Sequence, residues 1–452
     1  MKNLRKDIIS VLNKEALIDI HHSFSSKKMN IFSRNLHPNW YLNNIVYSIL
    51  LFFLLFFKKI ITYKRHKFKD QEIPVLLIAY TNNQRQAIYS IKKNRNDAKI
   101  FGDNQFSDFL FPMYKSYFFS IPYFNCIFRF YKNVDNYVRI SLHYAFHEYW
   151  LTFGHFKMLI KFLKKYKTKL VIVSNDHYLR TRIVPYVCSY LGVKSVYIQH
   201  ASISLLLPPL IYDFALLEGR DALNKYFKIG KIKSDIFLVG NLKAPQLDDI
   251  CKKEKVINLG LCFGIVDDIS KVEELIINVL NVFDATQVFL RPHPLEKRDF
   301  FIKEMAVKYH INISDSKVEK VTDFLKRIQC VIASESNIHL ESITQNIYSI
   351  YYQLSDKEKI SYDFYGFLSS KLIKDYTDSN KLIDRLIKLK DKKPNVREKA
   401  RYYNATIGTK YEGKSYFLYN EVISFIKNND INTLSNIFKV EKIQGINVYT
   451  IK

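Results

Sequence analysis

Polar residues that could do chemistry follow short apolar runs at four places along the 452-residue chain. The four clusters are Asn175-Asp176-His177, Gln199-His200, Arg291-Pro292-His293-Pro294 and Ser334-Glu335-Ser336. The apolar runs predict buried strands, and ligands of open parallel sheets bind beyond the carboxyl ends of the strands. One such residue alone is more often a structural histidine or a capping serine. Four clusters of this kind favour a catalytic or binding site.

Two of the clusters have side chains suited to a phosphate group. In the RPHP segment the two prolines restrict the backbone, so Arg291 and His293 are held at a strand end. A guanidinium beside an imidazole suits phosphate oxygens. Ser334 and Ser336 precede a predicted helix whose first N–H groups can bind an anion, although N-capping explains Ser336 equally well. The sequence predicts a donor-phosphate pocket formed by Arg291, His293, Pro294, Ser334 and Ser336.

The other two clusters offer a general base. A transferase needs a base within hydrogen-bond reach of the acceptor hydroxyl. We rank His200 first, because a neutral imidazole can take a hydroxyl proton near pH 7, and then Asp176 and Glu218. His177 directly precedes a predicted helix, and capping is a sufficient explanation for it. The predicted catalytic residues are therefore His200, Asp176 and Glu218.

No metal site or cofactor is predicted from the residue spacing. The five cysteines lie far apart without CxxC or Cys/His spacing, so we expect reduced, mostly buried thiols rather than a disulfide framework or a zinc site. The pair Asp267-Asp268 follows a predicted strand, but the start of a helix explains it more simply than a metal ligand.

The elements that must position these residues are alternating apolar runs and amphipathic stretches from Ile73 onward. The predicted strands are residues 73–81, 169–176, 194–201, 212–219 and 235–241, and then 256–264, 286–294, 329–334 and 346–353. Such alternation is typical of parallel sheets with crossover helices. We predict an α/β protein with two Rossmann-like lobes facing a cleft.

This pattern divides the chain into four predicted parts. Residues 1–70 are a basic, apolar appendage, 71–245 an acceptor lobe, 246–385 a donor-nucleotide lobe, and 386–452 helices that pack back on the first lobe. The length suits two or three domains, since domains of about 150 residues are common.

The N-terminal part contains an apolar run that predicts membrane contact. Ile45 to Phe57 contains 13 residues and is followed by Lys58 and Lys59. A spanning helix needs about 20 residues, so an interfacial anchor with a basic collar fits the run better. A helix buried between lobes is the alternative. The net charge of +26 favours an anionic membrane surface, and the absence of a secretory signal predicts a cytoplasmic protein, peripheral on the inner face of the membrane.

Several of these motifs together resemble one family. RPHP, SES with the following Glu341, QHAS, and the segment carrying Asp213, Leu216 and Gly219 are similar to GT-B-type transferases of bacterial surface polysaccharides. That group includes CDP-glycerol glycerophosphotransferases of teichoic-acid synthesis and the sialyl-, polysialyl- and Kdo-transferases of capsule and lipooligosaccharide assembly. The resemblance extends from Ile73 to the C terminus, and YEGKS at 411–415 is similar to a segment of the teichoic-acid branch.

The resemblance implies a metal-independent glycosyltransferase with a nucleotide-activated sugar as donor, a CMP-sugar being favoured. It implies that His200 acts on the acceptor hydroxyl, that His293 contacts donor phosphate, and that the acceptor is a growing surface polysaccharide or lipid-linked saccharide. The alternative favoured by YEGKS is a CDP-glycerol or CDP-ribitol phosphotransferase. A nucleic-acid-binding protein is a third interpretation, but the basic residues are spread over the chain without a binding motif, so no nucleic-acid partner is predicted.

Overall fold

The chain forms two compact units in the computed structural model, which describes residues 2–17, 44–63, 72–102, 107–205, 207–242, 250–355, 363–429 and 432–452. The first unit consists of described residues up to Leu242 together with Lys414–Lys452, and the second of described residues within Lys243–Gly413. Each unit has its own sheet and its own core.

The first unit contains seven parallel strands formed by apolar runs. In chain order they are β1 (Val75–Ile78), β2 (Ala98–Gly102), β3 (Phe109–Leu110), β4 (Leu170–Val173), β5 (Lys194–Ile198), β6 (Phe214–Leu217) and β7 (Asp235–Leu238). Their order in the sheet is β3-β2-β1-β4-β5-β6-β7, with every neighbouring pair parallel. Reversal of the strand order between β1 and β4 is the Rossmann arrangement.

Nine helices accompany these strands within the described residues. They are α1 (Lys2–Leu17), α2 (Ile45–Ile61), α3 (Asn82–Lys93), α4 (Met113–Ser120), α5 (Phe124–Asn133), α6 (Asn136–Lys165), α7 (Leu179–Arg182), α8 (Val184–Leu191) and α9 (Arg220–Ile229). All four residues of β1 and of β4 are buried. Burial on both faces explains why these strands are continuous apolar runs without alternation.

The second unit repeats the arrangement. Its strands are β8 (Leu259–Phe263), β9 (Val288–Pro292), β10 (Asn312–Ile313), β11 (Cys330–Ala333), β12 (Tyr348–Tyr351) and β13 (Lys374–Asp375), in the sheet order β10-β9-β8-β11-β12-β13. Its helices are α10 (Ile269–Leu280), α11 (Asp299–Tyr309), α12 (Val321–Arg327), α13 (Ile338–Thr344) and α14 (Ser379–Asp391). A Cβ at Gly260 would lie 2.6 Å from the Phe324 ring, so glycine lets α12 approach β8. The predicted fold class, two Rossmann-like α/β units, is confirmed.

The C-terminal part differs from the prediction of helices packing on the first lobe. Helix α14 buries Leu382, Leu386 and Leu389 in the core of the second unit. Two helices, α15 (Ser415–Asn428) and α16 (Asn432–Ser435), are followed by strands β14 (Phe438–Ile443) and β15 (Ile446–Ile451), which form an antiparallel hairpin. Strand β15 adds to the first sheet beside β7. The prediction that this stretch is entirely helical was wrong for the hairpin.

The N-terminal part is packed into the first unit, so its interpretation as an appendage was wrong for α1 and α2. The Phe52 ring of α2 stacks on Trp150 of α6, with ring centroids 3.7 Å apart. Helix α6 is kinked at Ala145, and the Ser48 hydroxyl accepts the His147 N–H near that kink at 3.0 Å. The Ser48 side chain of α2 thus accepts a hydrogen bond from a backbone N–H that the kink leaves without a partner in its own helix.

Two further expectations concern membrane spans and thiols. Within the described ranges, the structure contains no helix that is both long and apolar enough to cross a membrane. All five cysteines are unpaired and four of them are buried, as the spacing predicted.

Candidate functional site

The strand order places a candidate ligand site at the carboxyl end of each sheet. In a Rossmann arrangement ligands bind where the strand order reverses, because the crossover helices lie on opposite faces there and leave a crevice. In the second unit that point lies between β8 and β11, whose following loops are residues 264–268 and 334–337. The predicted serines therefore lie at the reversal point of the second sheet.

A buried carboxylate joins these two loops. The Ser334 hydroxyl donates to Asp267 Oδ1 at 2.7 Å, and the Gly264 N–H donates to Asp267 Oδ2 at 2.6 Å. Burial raises the pKa of Asp267, and these two hydrogen bonds act in the opposite direction. Ser334 is 4% exposed, so its hydroxyl bridges the loops instead of facing solvent. Asp267 therefore lies at the candidate site, although its place in the sequence suggested only the start of a helix.

An arginine holds the loop after β9 to the same place. The Arg298 guanidinium donates to the carbonyl oxygens of Asp267 at 2.8 Å and Gly264 at 3.1 Å. Its remaining N–H groups bind the Glu296 carboxylate through Nε at 2.8 Å and Nη2 at 2.6 Å. Hydrogen bonds to charged groups are worth about 1.5–3 kcal/mol, so this network fixes the loop firmly. Neither Glu296 nor Arg298 was predicted.

The histidine of the RPHP segment is presented by this loop. The His293 N–H donates to the Phe263 carbonyl at 2.9 Å, and the His293 Nδ1 accepts the Leu295 N–H at 3.1 Å. Because Nδ1 is an acceptor, the neutral ring carries its proton on Nε2, which is left to donate outward. Desolvation lowers the pKa of His293, although the Glu296 carboxylate opposes this effect. His293 and the neighbouring Pro294 are exposed, as a ligand-contacting segment requires.

Arg291 has a different role from the one predicted. Its guanidinium donates to the Ser314 hydroxyl at 2.6 Å and to the Glu319 carbonyl at 3.0 Å. The same group lies over the Phe324 ring at 4.8 Å, and the residue is 7% exposed. Both terminal nitrogens of the guanidinium, Nη1 and Nη2, therefore donate to partners inside the unit, and Arg291 holds the loop after β10. The expectation of a direct phosphate contact from Arg291 is corrected on this ground.

The other two residues of the SES segment, Glu335 and Ser336, have different roles. The Ser336 hydroxyl accepts the Ile338 N–H at 3.3 Å and so holds the turn before α13, whose N-cap residue is Asn337. The Glu335 carboxylate accepts the backbone N–H groups of residues 363–365. Burial and the neighbouring charge of Asp363 raise the pKa of Glu335 to about 7. Glu335 therefore changes protonation near neutral pH, and perturbed groups of this kind cluster at functional sites.

A buried histidine that was not predicted supports this segment. His339 Nε2 donates to the Ser334 carbonyl at 2.7 Å, so Nδ1 must accept the Ser349 hydroxyl at 2.7 Å. Burial lowers the pKa of His339 to about 4, so the ring is neutral in the folded protein. It ties α13 to strands β11 and β12.

In the first unit, Asp176 is at the predicted strand end but is enclosed. Tyr226 donates a hydrogen bond to Asp176 Oδ2, and His177 Nδ1 lies 3.4 Å from Asp176 Oδ1. Burial alone would raise the pKa of Asp176, but the hydrogen bonds from His177 and Tyr226 and the charge of Arg182 outweigh it and lower that pKa. A 1% exposed carboxylate with a lowered pKa is a weak base. Asp176 is therefore placed as a positioning residue.

A buried ion pair connects this strand end to the N-terminal helix. Arg182 Nε donates to Glu15 Oε2 at 2.8 Å, and Arg182 Nη1 donates to the Pro209 carbonyl at 2.8 Å. The Tyr186 hydroxyl donates to Glu15 Oε1 at 3.1 Å. Both charged side chains are at most 5% exposed. Helix α1 thus supplies the counter-charge for an arginine beside Asp176.

Gln199 positions His200. The Gln199 side chain donates to the Ala201 carbonyl at 3.0 Å and accepts the Glu218 N–H at 2.8 Å, which links the turns after β5 and β6. Glu218 is 5% exposed, whereas His200, between these anchored turns, is half-buried. Of the three predicted bases, His200 alone retains a partly exposed side chain. Gln199 lies in the QHAS segment, which was the available signal for its role.

The aspartate of the segment carrying Asp213, Leu216 and Gly219 lies at the opposite end of its strand. Asp213 precedes β6, and its Oδ2 accepts the Ser195 N–H at 2.7 Å and the Ser195 hydroxyl at 2.8 Å. These bonds fix the start of β6 against β5. Asp213 is therefore structural and lies away from the carboxyl-end site.

The chain is similar to solved structures of several nucleotide-sugar and surface-polymer proteins. The UDP-GlcNAc 2-epimerase from Methanocaldococcus jannaschii is 13% identical over 78% of this chain and 99% of that chain, with a TM-score of 0.48. The wall teichoic acid polymerase TagF is 11% identical over 85% and 99%, with a TM-score of 0.44. The lipopolysaccharide outer core galactosyltransferase WaaB is 12% identical over 77% and 99%, with a TM-score of 0.43. No family model and no curated protein sequence matches the chain.

Proposed function

We propose that this protein is a glycosyltransferase that moves a sugar from a nucleotide-activated donor to a surface polysaccharide or lipid-linked saccharide. The observation that carries the proposal is the reversal point of the second sheet. There, Asp267 and Arg298 join three loops into one hydrogen-bonded surface that presents His293. A fixed surface with an outward ring N–H is suited to a donor phosphate.

The donor is assigned to the second unit. His293 Nε2 donates to a phosphate oxygen, and Pro294 keeps the histidine at the exposed end of its loop. Ser334 contributes through Asp267, and Ser336 through the turn before α13, so both shape the phosphate surface without direct contact. The motif resemblance favours a CMP-sugar among nucleotide donors. Helix starts and hydrogen-bond donors can stabilise a leaving phosphate without a bound metal.

The acceptor-activating base is assigned to the first unit. His200 takes the proton of the acceptor hydroxyl while that oxygen forms a bond to the anomeric carbon of the donor. The bond between the anomeric carbon and the phosphate oxygen breaks, and its electron pair leaves with the nucleotide. Gln199 keeps the imidazole in place, since its side chain binds the turns on both sides.

The second candidate function is phosphotransfer from CDP-glycerol or CDP-ribitol, which the YEGKS segment favours. In the structure, Glu412 of this segment forms an ion pair with Arg397 and accepts the Gly408 N–H at 3.0 Å. Ser415 begins α15. These contacts give the segment a structural role in joining a loop to a helix. We therefore retain glycosyl transfer as the main proposal.

The location belongs to the same proposal. A polysaccharide or lipid-linked acceptor is presented at the membrane, and the net charge of +26 attracts an anionic surface. We place the enzyme in the cytoplasm, peripheral on the inner face of the membrane. Nucleic acid is not proposed as a partner.

Replacement of His293 by alanine tests the donor site. We expect His293→Ala to weaken binding of the preferred nucleotide about 10- to 100-fold in calorimetric titrations with CMP, CDP, UDP and GDP, because one hydrogen bond to a charged oxygen is lost. Leu295→Ala is the matched control, since Leu295 is an exposed residue of the same loop. Its affinity should equal that of the wild type. Equal affinities of wild type and His293→Ala would exclude His293 from the donor site.

A further inference from the structure

One face of α2 is an apolar surface that no other described part of the chain covers, and we call it the α2 outer face. Its members are between 37% and 83% exposed: Val46, Tyr47, Leu50, Leu54, Phe57, Ile60 and Ile61. At about 100° per residue these positions fall within an arc of about 140°. No charged or hydrogen-bonding side chain other than the Tyr47 hydroxyl lies among them. Seven exposed large apolar residues in one 17-residue helix differ from the scattered exposed residues that soluble proteins carry.

The opposite side of α2 is fixed to the protein. Ser48 and Phe52 are buried, and Phe52 packs on Trp150 and Tyr117 with ring centroids 3.7 and 4.9 Å apart. The Ser48 hydroxyl also contacts His147 Nδ1 at 2.9 Å. The helix can therefore present only its outer face to a partner. This excludes full insertion into a bilayer without disruption of the first unit.

A basic residue lies at the edge of the α2 outer face. Lys58 is exposed and lies at the edge of the apolar arc, and Lys59 follows it. Helix α4 adds the exposed Phe118, next to Tyr117, which contacts α2. Aromatic rings with adjacent lysines suit the boundary between lipid tails and anionic headgroups.

We propose that the α2 outer face docks on a bilayer containing anionic lipid, with α2 lying in the plane of the interface. The apolar side chains enter the boundary of the acyl chains, while Lys58 extends to the headgroups. This inference deepens the peripheral location proposed above, because it names the residues that carry the contact. It also assigns the two faces of one helix to different tasks: the inner face stabilises the first unit and the outer face binds lipid.

The test is sedimentation with vesicles of about three parts phosphatidylcholine to one part phosphatidylglycerol. We expect the wild type to bind and the triple variant Leu50→Ser, Leu54→Ser, Phe57→Ser to bind at least about 100-fold more weakly, since three large side chains lose their apolar insertion. Lys58→Glu should weaken binding about tenfold or less, and added salt should reduce binding by every form of the protein.

The matched control is a triple serine variant of apolar residues in the second unit that are even more exposed, Phe300→Ser, Val307→Ser, Val318→Ser. It should bind vesicles like the wild type. Failure of the wild type to bind vesicles, or equal binding by the α2 variant, would overturn the proposal. Dimerisation that the α2 variant abolishes, without vesicle binding, would instead assign the face to a second copy of the chain.

The proposed function is measured separately in the same variants. The α2 triple variant should keep wild-type nucleotide affinity and thermal stability, because all three side chains project away from the packed face of the helix. Loss of vesicle binding with retained nucleotide affinity supports the lipid face. If the wild type binds none of the tested nucleotides, the donor-site proposal is wrong, and the lipid result is unaffected.

Discussion

His200→Ala is expected to lower turnover by about 10²–10⁴-fold, the usual share of general base catalysis, with nucleotide affinity nearly unchanged. The reason is geometric: His200 is the partly exposed candidate, whereas Asp176 and Glu218 are 1% and 5% exposed. Steady-state assays of sugar transfer combined with calorimetric donor binding would separate the two quantities. A loss of turnover without a loss of donor affinity would place His200 on the acceptor side.

The controls are the carboxylate variants Asp176→Asn and Glu218→Gln. Both keep the shape of the side chain, so a residue that only positions its neighbours should retain more turnover than His200→Ala does. If His200→Ala keeps most of its turnover and Glu218→Gln is inactive, the general base is Glu218. That result would reject the histidine assignment and leave the donor site in place.

Glu15→Ala is expected to destabilise the first unit by about 3–5 kcal/mol, because removal of one partner leaves the buried charge of Arg182 uncompensated. Urea unfolding followed by the fluorescence of Trp150, which is buried in that unit, would measure this free energy. The matched control is Glu72→Ala. Glu72 pairs with Lys167 at the surface, with side chains 60% and 73% exposed, and such pairs contribute at most about 1 kcal/mol.

The same contacts predict the effect of a truncation. Removal of residues 1–70 deletes Glu15 and Phe52 together, so we expect the shortened protein to lose the packing of the first unit rather than to become a soluble enzyme. An effect of Glu15→Ala no larger than that of Glu72→Ala would contradict this account of α1.

The parallel strands were predictable because burial on both faces makes them continuous apolar runs. Residues 73–81 and 169–176 contain the observed β1 and β4, and residues 256–264 contain β8. The hairpin of β14 and β15 was missed because its lysine-rich sequence resembles the helices before it. Gln444 and Gly445, both at positive φ, form its turn, but the partner strand β7 lies about two hundred residues earlier in the chain.

The positions of the candidate residues along the sheets were predictable, but the directions of their side chains were not. Strand-end spacing placed His200 and His293 just after strands, where the structure has them after β5 and β9, and their roles stay predictions. It did not show that Arg291 points to Ser314 and Glu319, because these partners follow β10, a short strand that the sequence did not predict. Asp267 was set aside as a helix start, since its partner Ser334 is 67 positions away.

The interpretation of the N-terminal part as an appendage was wrong for α1 and α2, whereas its contact with a membrane is still a prediction. The run of residues 45–57 is apolar on all sides, so its sequence contained no polar face to indicate which side packs on protein. Burial of Phe52 against Trp150 comes from a tertiary contact that no local pattern encodes. Membrane contact through the opposite side stays a prediction.

The most direct measurement of the central claim follows the donor atoms into the product. Membranes that contain the acceptor are incubated with the protein and a donor labelled in parallel preparations at the sugar carbon or at the phosphorus, with CMP-sugar, UDP-sugar and CDP-glycerol compared. We expect sugar carbon to enter the polymer while all phosphorus stays with the released nucleotide, in equal molar amounts, and we expect His200→Ala to slow both by about 10²–10⁴-fold. Phosphorus in the polymer, or no release of nucleotide from any donor, would contradict the central claim.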